Sequence, residues 1–237
     1  GNAIDEPVLL IKIAWGGKSV AVDFRPPSAP PTQAELEARL ERVRKKKPDA
    51  TIEDIKEQYG HYYREVVRHA KEELADFENK FPKLKGHTPE IAGFIWHQGF
   101  NDKINGELRE NQYAQYTAWL GQFINDIRKD LDAKDMPFII GELSTGGIPS
   151  RGEFQIAQKN VATMRGIDSV AFVPTAEYYD TAAHELYLKN YWKGTDEQKA
   201  QWRAVGNDRP YHYLGSGKTY YLKGVAFGEA VLKYIDD

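Results

Sequence analysis

The chain has 237 residues, of which 41% are apolar, 28% charged and 12% aromatic. At roughly 100–200 residues per domain this is one large domain or two small ones, with enough apolar residues to exclude global disorder. The 32 basic and 35 acidic side chains leave a net charge of −3, so nothing draws the whole protein to nucleic acid, and zero Cys excludes disulfides, thiolate metal sites and Cys nucleophiles.

After a polar lead-in, Gly1–Glu6, the chain opens directly into PVLLIKIAW, Pro7–Trp15. No basic stretch followed by an apolar one marks a signal peptide, and no run reaches the ~18–20 apolar residues of a membrane span. Val8–Trp15, Ile91–His97, Pro137–Leu143 and Val170–Pro174 read as strands. Each is a short, nearly continuous apolar run, the pattern of a parallel strand covered on both faces. Helical stretches between them predict an α/β layered fold with a central parallel sheet.

The stiff connector Phe24–Pro31 leads into a long charged crossover. Thr32 and Glu35 form a capping box for a first helix, and Thr51 and Asp54 resemble a second box, opening a helix that runs to about Phe81. Arg42–Lys47 reads as a solvated helix end. Later helices are expected at Asn111–Leu131, Glu153–Arg165, Asp196–Arg203 and Tyr220–Tyr234, the last amphipathic and packed on the sheet. No repeat or linker divides the chain, which predicts a single domain over Gly1–Asp237 with a variable helical insertion at about 30–85.

In open α/β sheets, sites form beyond the carboxyl ends of the strands. Polar, Gly and aromatic residues gather there: Trp15–Ser19, Trp96–Asp102, Gly141–Gly147 and Thr175–Tyr178, with Asn207–Ser216 ahead of the final helix. Gly16 and Gly17 lead toward a helix and read equally as a tight turn or as backbone N–H donors for an oxyanion. Gln98 offers an amide donor. His212 stands four residues after Asp208, and a His oriented by a carboxylate is the general-base half of a nucleophilic triad. Trp15, Trp96, Tyr211 and Tyr213 near this rim read either as ordinary packing or as platforms for a sugar face.

Two apparent motifs fail. Gly215–Thr219 looks like a phosphate loop, but His212 stands where that pattern needs Gly. His61, His69, His87, His97, His184 and His212 show no zinc-type spacing, so no metal site and no cofactor is expected.

In order, LLIKIAWGGKS, GFIWHQGFND, PFIIGEL, YHYLGSGK and the closing AFGEAVL resemble the SGNH-hydrolase superfamily, and within it the sialate O-acetylesterase-like carbohydrate esterases. The resemblance covers nearly the whole chain apart from Pro26–Lys85. It implies a flavodoxin-like three-layer α/β/α sandwich and hydrolysis of acetyl esters on sugars by a Ser-His-Asp/Glu mechanism. It places oxyanion donors at Gly16, Gly17 and Gln98, and the base at His212. It puts the acid where Arg209 stands, which leaves Asp208, one residue further back, and the spatial alternatives Glu142 and Asp102 as candidate orienters. Trp15, Trp96, Asp102 and Tyr211 are the expected substrate contacts. The implied substrate is an acetylated carbohydrate, with neither nucleic acid nor membrane as partner, in an extracytoplasmic location.

The block bearing the family's nucleophilic Ser has no counterpart here: Ser19, Ser28, Ser144, Ser150, Ser169 and Ser216 all lack its context. The resemblance implies five strands against four found, the absent one being the central first strand. Leaving out such a strand exposes backbone groups at ~1–3 kcal/mol each, against a total stability of ~5–15 kcal/mol. The chain is therefore expected to be the C-terminal portion of a longer precursor, with the Ser supplied by an upstream segment or by that segment as a separate chain. Two other functions remain open: a non-catalytic carbohydrate-binding or assembly domain on the same fold, and a self-contained hydrolase using Ser19 or Ser144.

Overall fold

Three of the four apolar runs form strands in the computed structural model, which describes residues 4–144, 152–209 and 211–235. They are β1 (Phe94–Trp96), β2 (Phe138–Gly141) and β3 (Val170–Val173), joined as a three-stranded sheet in the order β1-β2-β3. Both pairings are parallel, with Ile95 opposite Ile139 and Ile139 opposite Ala171. The fold class is α/β, a parallel sheet flanked by helices.

The helices are α1 (Gln33–Arg44), α2 (Ile52–Gln58), α3 (His61–Ala75), α4 (Phe77–Lys80), α5 (Phe100–Lys103), α6 (Gly106–Glu110), α7 (Ala114–Asp130), α8 (Glu153–Val161), α9 (Thr181–Leu188), α10 (Asp196–Val205) and α11 (Gly217–Leu232). The chain divides into two compact units. The first is Gly1–Ala92, Gly99–Met136 and Met164–Asp168; the second is Gly93–Gln98, Pro137–Thr163 and Ser169–Asp237.

In the first unit the capping boxes at Thr32/Glu35 and Thr51/Asp54 both form. Leu36, Ile55 and Tyr59 pack together between α1 and α2, with Val22, Leu40, Val43 and Ile52 around them. The helix expected from Thr51 to about Phe81 is instead three pieces. Gly60 breaks it with φ +67°, and a Cβ there would meet the Arg25 carbonyl oxygen at 2.7 Å, so the chain turns where only Gly fits. The Arg25 side chain is nearly buried, paired with Glu35 and stacked 3.5 Å over the Trp119 ring. The helix expected from Asn111 starts at Ala114, because Gln112 and Tyr113 are left-handed.

Val8–Trp15 is the clearest departure: it is extended but belongs to no sheet among the described residues. A strand is stable only when its backbone groups join a ladder, and here Val8, Leu9 and Leu10 stay 51%, 38% and 82% exposed.

In the second unit Ile139 of β2 packs with Phe227 and Ala230 of α11, and Ala171 and Val173 of β3 join them. Gly141 gives the helix its close approach: a Cβ there would lie 2.4 Å from the Phe227 ring. Sequence periodicity missed α9. Its signal is Asp180, whose carboxylate accepts from the Ala183 N–H at 3.1 Å and so caps the helix. Ala183, Trp202 and Leu214 then form a small core that ties α9 and α10 to the segment before α11.

Candidate active site

The second unit gathers its polar residues beyond the carboxyl ends of its strands, as an open parallel sheet does. His97 and Gln98 follow β1, Glu142 and Ser144 follow β2, and Thr175 follows β3. Facing them is the chain that runs into α11.

That chain makes an unusual turn. His212, Tyr213, Leu214 and Gly215 all have positive φ, 50°, 53°, 60° and 65°. Left-handed backbone costs an L-residue about 1–2 kcal/mol, so three such residues in succession need strong external support. Leu214 supplies much of it. Its side chain is buried, worth about 1.5–3 kcal/mol, and its carbonyl accepts from the N–H groups of Asn207 at 2.9 Å and Asp208 at 3.2 Å. Below the turn Ser216 caps α11, and its hydroxyl donates to the buried Asp180 carboxylate at 2.8 Å. The Tyr220 hydroxyl donates to the His212 carbonyl at 3.0 Å.

The turn brings His212 onto Asp208, with His212 Nδ1 bonded to Asp208 Oδ2. The His212 side chain is 74% exposed, so its other ring nitrogen, Nε2, faces outward. Asp208 also accepts from the Arg209 N–H at 2.7 Å. The bond from His212 and then that from Arg209 hold its carboxyl below the usual range. A carboxylate holding one imidazole nitrogen while the other stays open is the arrangement of a general base. Arg209, at the position where the resemblance puts the acid, instead lies 3.1 Å over the Trp192 ring.

Behind this exposed pair lies a buried polar group of residues. His97 Nδ1 is 3.3 Å from the Gly141 carbonyl, and Nε2 is 3.0 Å from the Tyr213 hydroxyl. Burial pushes His97 down to about 4, the Lys223 charge adds to that, and the bond to Gly141 opposes it. The ring is therefore neutral at pH 7, with the proton on Nδ1, since a carbonyl only accepts. Lys223 Nζ lies 3.1 Å over the Tyr213 ring. Its burial lowers the ammonium to about 7, against an upward pull from Glu142. Glu142 holds the chain after β3, accepting from the N–H groups of Thr175 at 2.8 Å and Ala176 at 3.1 Å.

The structure thus pairs His212 with Asp208 and leaves Glu142 engaged elsewhere. Gln98, in the same unit, has its carbonyl held by Gln158 Nε2 at 3.3 Å. Tyr211 is 57% exposed, its ring 6.3 Å from that of His212, whereas Trp96 is buried in the core. Ser144 and Ser216 are both buried. Ser150 and the Thr145–Gly147 end of the Gly-rich stretch lie outside the described residues.

Gly16, Gly17, Trp15 and Asp102 belong to the first unit. Gly16 and Gly17 form a turn, Gly17 at φ +72°, and do not lead into a helix as expected; bonded turns follow, with the Phe24 N–H reaching Ser19 O at 2.9 Å. Asp102 is fully buried, and its two oxygens accept from the N–H groups of Val20 at 2.9 Å and Ala21 at 3.0 Å. It therefore fixes the chain after the double Gly and does not face solvent. Trp15 packs edge-on against Tyr62, with ring centroids 4.7 Å apart. A cavity of about 390 Å³ in this unit is lined by Arg25, prolines, Tyr59 and Arg64, and by none of the predicted site residues.

Sequence reasoning passed over His97, Lys223 and Asp180. His97 had a signal in its place just before Gln98; Lys223 sits on the face of α11 that reads as apolar and had none.

A family model described as carbohydrate esterase, sialic acid-specific acetylesterase, matches residues 2–188. The matched span includes Gly16, Gly17 and Gln98 and stops before Asp208 and His212. No curated protein and no solved structure matches the chain.

Proposed function

Because the chain belongs to the sialic acid-specific acetylesterase family of carbohydrate esterases, we propose that it hydrolyses acetyl esters on sugars by acyl transfer, with His212 as general base and Asp208 as its orienter. The observation that carries this reading is the bond from His212 Nδ1 to Asp208, which leaves Nε2 open on an exposed ring. A serine hydroxyl gives its proton to Nε2 as it attacks the acetyl carbonyl. The amide of Gln98 donates to the developing oxyanion. His212 returns the proton to the departing sugar oxygen, and water then releases acetate through the same base. The exposed Tyr211 beside His212 offers an aromatic face to the sugar.

The attacking Ser, in this proposal, arrives on an N-terminal segment of the same precursor, held as a second chain that adds a parallel strand to the sheet. β1 is an edge strand, and Ile95 on it is 45% exposed. The Phe94 N–H turns inward to the Pro137 carbonyl at 2.8 Å, so alternation directs the backbone groups of Ile95 away from β2. The extended run Val8–Trp15, which joins no sheet among the described residues, offers a second segment for such pairing. We place the reaction outside the cytoplasm, as the family suggests; among the described residues no helix is long and apolar enough to cross a membrane.

Turnover of a chromogenic acetate ester by the native preparation, alongside its denaturing mass spectrum, tests both parts. Acetate release by a preparation containing a companion peptide with a Gly-x-Ser stretch is the expected result. An inactive preparation overturns the esterase; activity from a single species of this mass overturns the second chain.

A further inference from the structure

Tyr213 is the residue that joins the exposed pair to the buried polar residues behind it. Its hydroxyl meets His97 Nε2 at 3.0 Å, and its ring stacks on the His97 ring with centroids 5.7 Å apart and planes inclined by 22°. With the His97 proton on Nδ1, toward Gly141, Nε2 accepts and the phenol donates. Burial pushes the phenol up, against a downward pull from the Ser144 hydroxyl, whose own contact is with Thr175 Oγ1 at 3.5 Å. Tyr220 stands edge-on to the Tyr213 ring at 5.8 Å while its own hydroxyl reaches the His212 carbonyl. On the ring face lies the Lys223 ammonium, 2% exposed and without a hydrogen-bond partner.

A phenylalanine and a methionine would fill these two positions without burying a phenol or an unpaired amine. The polar versions do what apolar ones would not: the bonded series Tyr213, His97, Gly141 carbonyl has a single donor direction and fixes the rotation of each ring. It starts beside His212 and passes through the residue that precedes Gln98.

We propose that Tyr213 is a positioning residue for the base: its bond to His97 and its seat under Lys223 hold the left-handed turn that presents His212, and tie that turn to the strand end bearing Gln98. The proposal rests on the reading of His212 as general base.

The test compares wild type, Tyr213→Phe and Lys223→Met in the native preparation, with two readouts. The first is kcat and KM on a chromogenic acetate ester. The second is the imidazole nitrogen spectrum of labelled protein, which reports the His97 tautomer and the His212 resonances. In Tyr213→Phe the His97 ring is expected to lose its single tautomer, the His212 resonances to move, and kcat to fall about 10–100-fold with KM within about twofold. Unchanged kcat and unchanged His212 resonances overturn the proposal. If wild type releases no acetate, the esterase reading fails, and the His212 resonances alone decide the positioning role. If Tyr213→Phe does not fold, Lys223→Met decides in its place: displaced His212 resonances support the clamp, and unmoved ones overturn it.

Discussion

The carbonyl of Leu214 accepts from the backbone N–H groups of both Asn207 and Asp208, at 2.9 and 3.2 Å. This shared acceptance folds the chain back on itself and sets Asp208 beside His212. Asp208 and His212 are thus brought together by one buried leucine, although the His212 side chain is largely exposed and that of Asp208 partly so.

His212→Ala should leave the fold intact, because the side chain it removes faces solvent. Ester turnover should fall by about 10³-fold or more. Parallel thermal melts and kinetics check this: a retained melting point with wild-type-like kcat/KM would remove His212 from the mechanism.

Asp208→Asn tests the orienter. The amide keeps the shape and loses the charge that stabilises the imidazolium, so kcat/KM should fall by up to about 10⁴-fold. The stability effect has a defined sign. The Asp208 carboxyl is held below its unfolded value, so its contribution is complete above about pH 4 and is lost as the pH falls through the folded value. Wild type and Asp208→Asn should converge in stability at low pH, read from urea midpoints across a pH series.

Lys223 makes the opposite case. Its folded pKa of about 7 lies below the usual lysine value, so between about pH 7 and 10 the unfolded chain binds more protons. Wild-type stability should therefore rise with pH in that window, by of order 1 kcal/mol per unit. Lys223→Met should flatten the rise and be the more stable protein at pH 7. Equal pH slopes for the two proteins would show that the amine is solvated.

Gly141→Ala should destabilise the second unit by about 1–3 kcal/mol, since a Cβ there would meet the Phe227 ring at 2.4 Å and His97 Nδ1 at 2.9 Å. Denaturant midpoints measure it. A neutral result would mean that α11 lies further from the sheet.

Much of the second unit's sheet and the opening helices of the first unit were legible because their signals are local. Apolar runs bounded by turn residues marked β1, β2 and β3, and two capping boxes marked α1 and α2. The pairing of His212 with Asp208 followed from spacing, helped by a turn that spacing alone does not reveal. What escaped was set by distant contacts. Val8–Trp15 has the composition of a strand, but pairing depends on a neighbour. Gly60 reads as a tolerable helix residue until the Arg25 carbonyl is seen against it. Lys223 on an apolar helix face looks like a residue that reaches for solvent, and only the ring of Tyr213 explains why it stays inside.

Gly215 constrains the loop that carries His212: its φ of +65° suits glycine, and a Cβ there would fall 1.7 Å from Asn207 Oδ1, so the Asn207 side chain would have to move. Adding or deleting one residue there would slip the imidazole off its carboxylate. If the chain acts on sugar esters as proposed, a change in its preference would come through side chains such as Tyr211 and Arg209, with the backbone length of this loop kept constant.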